Sequence, residues 1–187
     1  MSQDKDHDII ERVLGGERDA YAALVELYKG PIFNLAYRMT GNRQDANDLT
    51  QDTFIRAYAA LKHFKKGSKF FTWLYTISLN LVRNHLKKGI PLQPLESDCQ
   101  VPSREEAHNP EGCAIRQDEV RALNASLYRL PEALREAVVL RFYQGLSFED
   151  IAEISGGSLS GAKMNVYRGL EKLRLLMREE RPDQKTG

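Results

Sequence analysis

The chain has 187 residues, enough for one domain of common size or two small ones, each with a usable core. Lys and Arg total 27 against 26 Asp and Glu, so attraction to a polyanion would require segregated charge and not net charge. The N-terminus lacks a basic segment followed by an apolar one, and no stretch approaches the roughly 18 apolar residues of a membrane span, so we expect a cytoplasmic protein.

The first 88 residues have the apolar spacing of helices. Apolar side chains recur at steps of three and four residues, and no alternating strand pattern is convincing. Helix breaks are predicted at Gly15-Gly16, Gly30-Pro31, Gly41-Asn42 and Lys66-Gly67. The pattern predicts a bundle of four or five helices.

One of these helices carries an acidic face. In GNRQDANDLTQDTFIRAYAALKHF, which begins at Gly41, three carboxylates fall on one side at Asp45, Asp48 and Asp52. The predicted packing face consists of Leu49, Phe54, Ile55 and Tyr58. A solvated face is the ordinary explanation of three helical carboxylates, so their spacing alone assigns no function.

The next segment combines lysines with aromatic residues. FKKGSKFFTWLYTISLN, residues 64–80, lies in a run from Thr53 to Leu95 that contains no acidic residue. A helix built only for packing normally balances its cations with acids, so this composition indicates an anionic, stackable partner such as nucleic acid. The helical face formed by Trp73, Leu74, Ile77 and Leu81 is expected to be core.

The helical pattern fails between Gly89 and about Gly112. This segment contains four prolines, and its acids outnumber its single Arg104, as in a linker. Cys99 and Cys113 lie in this polar segment without C-x-x-C spacing. They are expected to be solvated thiols, not members of a disulfide framework or a zinc site.

Helical spacing returns at Ile115, and three helical pieces follow Pro131. Gly145 and Gly156-Gly157 separate these pieces, and Ser147 with Asp150 resembles a capping box. Ser158 or Ser160 is expected to cap the last piece. A short helix, a glycine turn and a longer helix are the layout of a DNA-binding helix-turn-helix, although an ordinary three-helix bundle has the same outline. The basic character of the last helix favours DNA.

Four motifs in this order resemble one family. They read D-A-x-D-L-x-Q-D-x-F, F-x-x-W-L-x-x-I-x-x-N, L-P-x-x-x-R-x-x-x-x-L and G-L-S-x-x-x-I-A. Together they resemble the extracytoplasmic-function (ECF, group 4) sigma factors of bacterial RNA polymerase, in the sigma-70 family. The resemblance covers about residues 19–176.

The resemblance implies an all-α fold of two small helical domains joined by a flexible linker. Region 2 would occupy residues 1–88 and serve core polymerase binding, promoter melting and −10 recognition. Residues 89–113 would form the acidic, proline-containing linker. Region 4, the helix-turn-helix that recognises the −35 element, would occupy residues 114–187.

The resemblance also implies roles for particular residues. Those expected to bind core polymerase are Asp45, Asp48, Gln51 and Asp52. Those expected to melt and read the −10 element are Lys65, Lys66, Lys69, Phe71, Tyr75, Asn80, Arg83 and Asn84, although Asn80 could instead be a buried, satisfied polar group. Those expected to contact the −35 element are Ser160, Lys163, Met164, Asn165, Tyr167 and Arg168.

The partners implied are core RNA polymerase, through the clamp helices of its largest subunit and its beta flap, and promoter DNA. An anti-sigma factor is a further implied partner, which could hold the protein at the inner membrane. No cofactor, metal, small-molecule substrate or catalytic site is expected, because the four histidines are scattered and no phosphate loop or hydrolase motif is present.

Two other functions remain open at this point. A conventional helix-turn-helix regulator would use the first half as a sensor or dimerisation domain. An RNA-binding or purely structural helical adaptor is the third possibility. Neither requires an aromatic-rich helix that lacks acids.

Overall fold

The computed structural model describes residues 3–88 and 122–179, and all regular structure in these ranges is helical. The first range holds α1 (Gln3–Leu14), α2 (Tyr21–Thr40), α3 (Arg43–Ala60) and α4 (Phe70–Lys87), with 3₁₀ turns at Arg18–Ala20 and Leu61–His63. The second holds α5 (122–128), α6 (Glu132–Val138), a π-helical turn (Val139–Tyr143), α7 (Phe148–Ser155) and α8 (Leu159–Glu179). The predicted all-α fold is confirmed for these residues.

Some predictions fall on other parts of the chain. The predicted linker at 89–113, with Cys99 and Cys113, lies outside the described residues, as does the predicted helical start at Ile115. Within the described ranges, no helix is long and apolar enough to cross a membrane.

Three of the four helix breaks predicted in the first half occur. Gly16 follows α1 with φ of 106°, and Gly67 has φ of 91° in the loop before α4. Gly41 ends α2 with φ of 73°, a left-handed conformation that favours glycine, and Asn42 begins α3. The Asn42 side chain accepts hydrogen bonds from the amides of Gln44 and Asp45 at 2.8 and 3.0 Å.

The break predicted at Gly30-Pro31 is wrong, because α2 continues through Pro31 to Thr40. Proline removes one backbone hydrogen bond and disfavours a helical conformation at the residue before it. In α2, burial compensates: Leu24, Ile32 and Leu35 are fully buried on both sides of the proline. Tertiary packing therefore overrides the local signal.

The predicted packing face of α3 is half right. Leu49 and Phe54 are buried, but Ile55 and Tyr58 are 58% and 40% exposed. Buried Ala46, Thr53 and Ala57 complete the inner face with Leu49 and Phe54, and α3 lies against α2 and α4. At about 100° per residue, Ile55 and Tyr58 fall outside this face.

The two helices of the helix-turn-helix, α7 and α8, begin at the predicted capping residues. The Ser147 hydroxyl accepts from the Asp150 amide at 3.1 Å and donates to the Asp150 carboxylate at 2.7 Å. Gly156 ends α7 with φ of 72°. Ser158 caps α8 by accepting from the Gly161 amide at 3.1 Å. Buried Ile151, Ala152 and Ile154 fix α7, as predicted.

The two halves of the chain are in contact. α4 lies against α7, and α2 lies against α6 and the π-helical turn. Arg38 of α2 donates to the Asn124 side chain at 2.9 Å, and its guanidinium carbon lies 3.6 Å from the centre of the Tyr143 ring. This arrangement brings the lysine- and aromatic-rich segment next to the helix-turn-helix.

Candidate nucleic-acid interface

The loop between the 3₁₀ turn at Leu61–His63 and α4 carries the predicted phosphate-binding lysines. Lys65 and Lys66 are exposed, and Lys66 pairs with Glu11 of α1 at 2.6 Å. Nε2 of His7, also on α1, donates to the Ser68 carbonyl at 3.0 Å. The first helix therefore holds this loop while the lysine side chains face solvent.

The start of α4 separates core aromatics from accessible ones. Phe70 is buried, and Trp73 packs against both Phe70 and Phe64, with ring centroids 5.7 and 5.3 Å apart. The prediction that Trp73 belongs to the core is supported by these contacts. Phe71 lies on another side of the helix, half-buried, with the Lys69 ammonium 5.6 Å from its ring centre.

Three of the residues predicted to read the −10 element contact the second half of the chain. Lys69 pairs with Asp150 at 2.6 Å, and the Tyr75 hydroxyl donates to the Gln144 side chain at 2.8 Å. Arg83 donates two hydrogen bonds to Glu136, at 2.6 and 3.0 Å. Tyr75, predicted as a stacking surface, is only 4% exposed in this arrangement.

Burial and hydrogen bonding shift the pKa values of three groups in this contact. Burial alone would raise the pKa of Asp150, but hydrogen bonds from Lys69 and Ser147 outweigh it and hold that pKa below its ordinary value. The hydrogen bond to Asp150 raises the pKa of Lys69. Burial raises the pKa of Tyr75 well above its ordinary value, so the phenol stays protonated.

Asn80 and Asn84 are both exposed on α4. Exposure rules out the alternative in which Asn80 is a buried polar group. Both amides are available for paired hydrogen bonds to a base edge.

The acidic face of α3 borders the end of α4. Asp45, Asp48 and Asp52 line a cavity of about 210 Å³, and Asn84, His85 and Lys88 line it from α4. Asp45 lies 3.3 Å from Nε2 of His85.

Gln51, predicted to act with these carboxylates, lies on a different side of α3. It lines an apolar cavity of about 540 Å³ between α2 and α3, together with Val25, Phe33, Phe54 and Ile55. The apolar residues of this cavity were not among the predicted site residues. One signal could have indicated them: α3 has more large apolar residues than a single packing face needs.

The predicted reading face of α8 is open to solvent. Tyr167 and Met164 are 63% and 44% exposed. Ser160, Lys163 and Arg168 are also exposed, and Asn165 is half-buried. On the opposite side, buried Ala162, Val166, Leu173 and Leu176 attach the helix to its domain. This face of α8 is therefore accessible to a partner without rearrangement of the helix.

Comparison with known proteins identifies the family. The Sigma-70 region 2 model matches residues 24–89, and the Sigma-70 region 4 model matches residues 121–173. The RNA polymerase sigma-H factor of Pseudomonas aeruginosa is 33% identical over 183 residues, covering 92% of this chain and 94% of that protein. The ECF RNA polymerase sigma factor SigW of Bacillus subtilis is 33% identical over 180 residues, covering 91% and 95%. The chain belongs to the ECF sigma factors of the sigma-70 family.

Two solved structures share the fold of this sigma factor. CnrH in complex with the cytosolic domain of CnrY matches with a TM-score of 0.69 at 24% identity, covering 94% of this chain and 98% of that one. The sigma factor RpoE of Bartonella quintana, in complex with the anti-sigma factor NepR, matches with a TM-score of 0.69 at 23% identity, covering 86% and 98%.

The predicted site residues of this sigma factor all lie inside the matched ranges. Those for core binding and for the −10 element fall within 24–89, and those for the −35 element fall within 121–173. The contacts made by Glu136, Gln144 and Asp150 were missed, because their partners Arg83, Tyr75 and Lys69 lie 53 to 81 residues away in the sequence.

Proposed function

We propose that this chain is an alternative sigma factor that binds core RNA polymerase and directs transcription initiation at promoters with matching −10 and −35 elements. The observation that carries the proposal is the order of two different nucleic-acid surfaces in one chain of this family. An exposed loop with Lys65 and Lys66 precedes an aromatic helix in the region 2 match, and an exposed helix-turn-helix face lies in the region 4 match.

The two surfaces suit different forms of DNA. Cations beside accessible rings bind single strands, in which bases can stack on the aromatic faces. The loop before α4, with Phe71, therefore fits the separated −10 strand, and Asn80 and Asn84 fit base edges. An exposed helix bearing Lys163, Asn165 and Arg168 fits the major groove of the −35 duplex.

The proposed core-binding surface spans two sides of α3. Asp48 and Asp52 supply exposed negative charge, which gives orientation and association rate more than affinity. The apolar cavity beside Gln51 and Ile55 supplies the surface from which affinity can arise. A polymerase element that contacts both sides of α3 would use charge and apolar contact together.

The remaining assignments are part of the same proposal. The domain limits are 1–88 and 114–187, with a linker at 89–113. The protein acts as an initiation factor and not as an enzyme, and it works in the cytoplasm, where core polymerase is found. Binding of an anti-sigma factor, and retention of the protein at the inner membrane by that factor, stay predictions for this chain.

Run-off transcription with purified core polymerase on genomic fragments tests the function. A sigma factor yields transcripts from defined start sites only when core and chain are both present. Anisotropy titration with core alone separates the alternatives: the sigma factor binds core tightly, whereas a conventional regulator binds duplex operator by itself. Duplex binding without core binding or transcripts would contradict the proposal.

A further inference from the structure

The turn that carries Lys65 and Lys66 is closed by its own backbone. The Ser68 amide donates to the Lys65 carbonyl at 3.1 Å, which closes a four-residue turn from Lys65 to Ser68. Gly67, the third residue of the turn, has φ of 91°, a left-handed conformation that glycine reaches easily. The first three residues of the turn are exposed, and an exposed turn opens readily unless other contacts hold it.

His7 of α1 supplies such contacts on both sides of the turn. Its Nε2 donates to the Ser68 carbonyl at 3.0 Å, and a carbonyl oxygen can only accept, so this nitrogen carries a proton. The His7 ring centroid lies 5.8 Å from that of Phe64. Because Phe64 precedes the turn and Ser68 ends it, one side chain ties both of its ends to α1.

Phe64 connects the turn to the aromatic cluster at the start of α4. Its ring centroid lies 5.7 Å from that of Phe70 and 5.3 Å from that of Trp73, and Phe70 is buried. The same cluster fixes the start of the helix that carries Phe71. The turn and the proposed stacking ring therefore share one support.

The helix that carries His7 is itself firmly attached to the bundle. The Tyr28 hydroxyl donates to the Asp6 carboxylate at 2.5 Å, and Asp6 is buried. Ile10 and Val13, further along α1, are buried as well. The Tyr28 ring also meets Phe70 edge-on, with centroids 5.6 Å apart. A close-packed helix of this kind is a rigid base from which a side chain can hold a loop.

The second contact between α1 and the loop, the pair between Lys66 and Glu11, contributes less. The two side chains are 86% and 62% exposed, and exposed ion pairs add little stability. His7 and Ser68 are both half-buried, where water competes less for a hydrogen bond. The main hold on the turn therefore comes from His7.

We infer that His7 is a positioning residue for capture of the −10 strand: it keeps the turn at residues 65–68 in one conformation before the strand arrives. A loop that is already ordered loses less conformational entropy on binding, which raises affinity. His7 does not itself contact the strand, and it acts through the turn that presents Lys65. The inference rests on the proposed function for the identity of the strand.

Three variants separate a positioning role from a general effect on stability. His7→Leu removes the donor and keeps an apolar side chain beside Phe64. His7→Gln ends in an amide nitrogen that can replace Nε2 as the donor to Ser68. Val13→Ala removes buried volume from α1 and retains His7, so it destabilises the helix without removing the hydrogen bond. Urea unfolding followed by circular dichroism establishes that each variant is folded under the assay conditions.

The position of the turn is followed in the free chain through Trp73, its single tryptophan. Because Phe64 packs against the indole, release of the turn should expose Trp73 to acrylamide. We expect fluorescence quenching to increase in His7→Leu and to match the wild type in His7→Gln and Val13→Ala. Unchanged quenching in His7→Leu would overturn the inference, because the turn would then not depend on the histidine.

Strand capture is measured with core polymerase on a promoter identified by run-off transcription with the wild-type chain. We expect His7→Leu to lower permanganate reactivity of promoter thymines by about three- to tenfold, the change typical of one lost hydrogen bond. Closed-complex affinity should stay unchanged, since the −35 surface is untouched. His7→Gln should restore the reactivity, and Val13→Ala should retain it.

Two results in this assay would overturn the inference: reactivity of His7→Leu equal to that of the wild type, or an equal loss in Val13→Ala. In both cases the wild type still yields transcripts, so the proposed function stands. A wild-type chain that yields no transcripts with core would contradict the proposed function, and the inference would fail with it.

Discussion

Single residues on α3 decide which part of the surface is charged and which is apolar. Asp48 and Asp52 are exposed beside the end of α4, whereas Gln51, between them in sequence, lines the apolar cavity with Phe33 and Ile55. Neighbouring positions of a helix point in different directions, at about 100° per residue, so adjacent side chains can serve different contacts.

Reversing the charge of Asp48 and Asp52 to Lys should weaken core binding while helical content is retained, because both side chains are exposed. We expect a loss of about tenfold or more in affinity at low salt, shrinking as salt rises. A salt-matched titration with core polymerase measures it. Asp8→Lys, an exposed change of the same kind on α1, is the control. Equal affinities for control and α3 variant would remove the carboxylates from the interface.

At the scale of elements, α8 approaches α6 so closely that one position has no room for a side chain. A Cβ at Gly169 would lie 2.6 Å from Cγ2 of Val138 and 3.1 Å from the Leu134 carbonyl oxygen. The valine is stiff and the carbonyl belongs to a helix, so neither can move without shifting α6.

Gly169→Ala should therefore lower the free energy of unfolding by about 1–2 kcal/mol, even though alanine favours a helix by about 1 kcal/mol. Urea unfolding followed by circular dichroism measures the change. Lys172→Ala, one turn later on an exposed side of α8, should alter it by less than about 0.5 kcal/mol. A stabilised Gly169→Ala protein would show that α6 yields easily.

The start of α4 separates aromatic side chains by role. Phe71→Ala should reduce permanganate reactivity of promoter thymines more than it reduces closed-complex binding, since the ring is accessible and lies beside Lys69. Trp73→Ala should instead lower the unfolding free energy by about 2–4 kcal/mol, because its ring packs against Phe64 and Phe70. Equal losses of melting and binding for Phe71→Ala would indicate a packing role.

At the scale of the whole molecule, the ion pair between Lys69 and Asp150 determines how the contact between the two halves depends on pH. The pKa of Asp150 is depressed, so its contribution is present above its unfolded pKa and is lost as pH falls through the lower, folded value. The pKa of Lys69 is raised, so its contribution is present below its unfolded pKa and is lost as pH rises through the higher, folded value.

The contact between the two halves should therefore be independent of pH between about 5 and 9, and it should weaken only below about 4 or above about 10. The measurement is energy transfer between two dyes, one on each half of the chain, recorded across this pH range at constant ionic strength. Efficient transfer reports that the halves are in contact. A transition near pH 6 to 7 would contradict the assignment of this contact to the Lys69–Asp150 pair.

The sequence by itself determined the features that depend on local chemistry. Gly41, Gly156, Asn42 and Ser147 set helix ends through their own backbone conformation or side-chain hydrogen bonds, which involve residues no more than a turn away. The all-α fold, the helix-turn-helix and the lysine-rich loop followed from such signals and from the order of the motifs.

Only the tertiary structure decided features that depend on distant partners. Burial of α2 carries the helix through Pro31. Arg83 and Glu136 are 53 residues apart, so no local pattern relates them. Whether a cation on α4 is free for DNA or held by a carboxylate is set by how the two halves pack, because packing determines which charges share a desolvated contact.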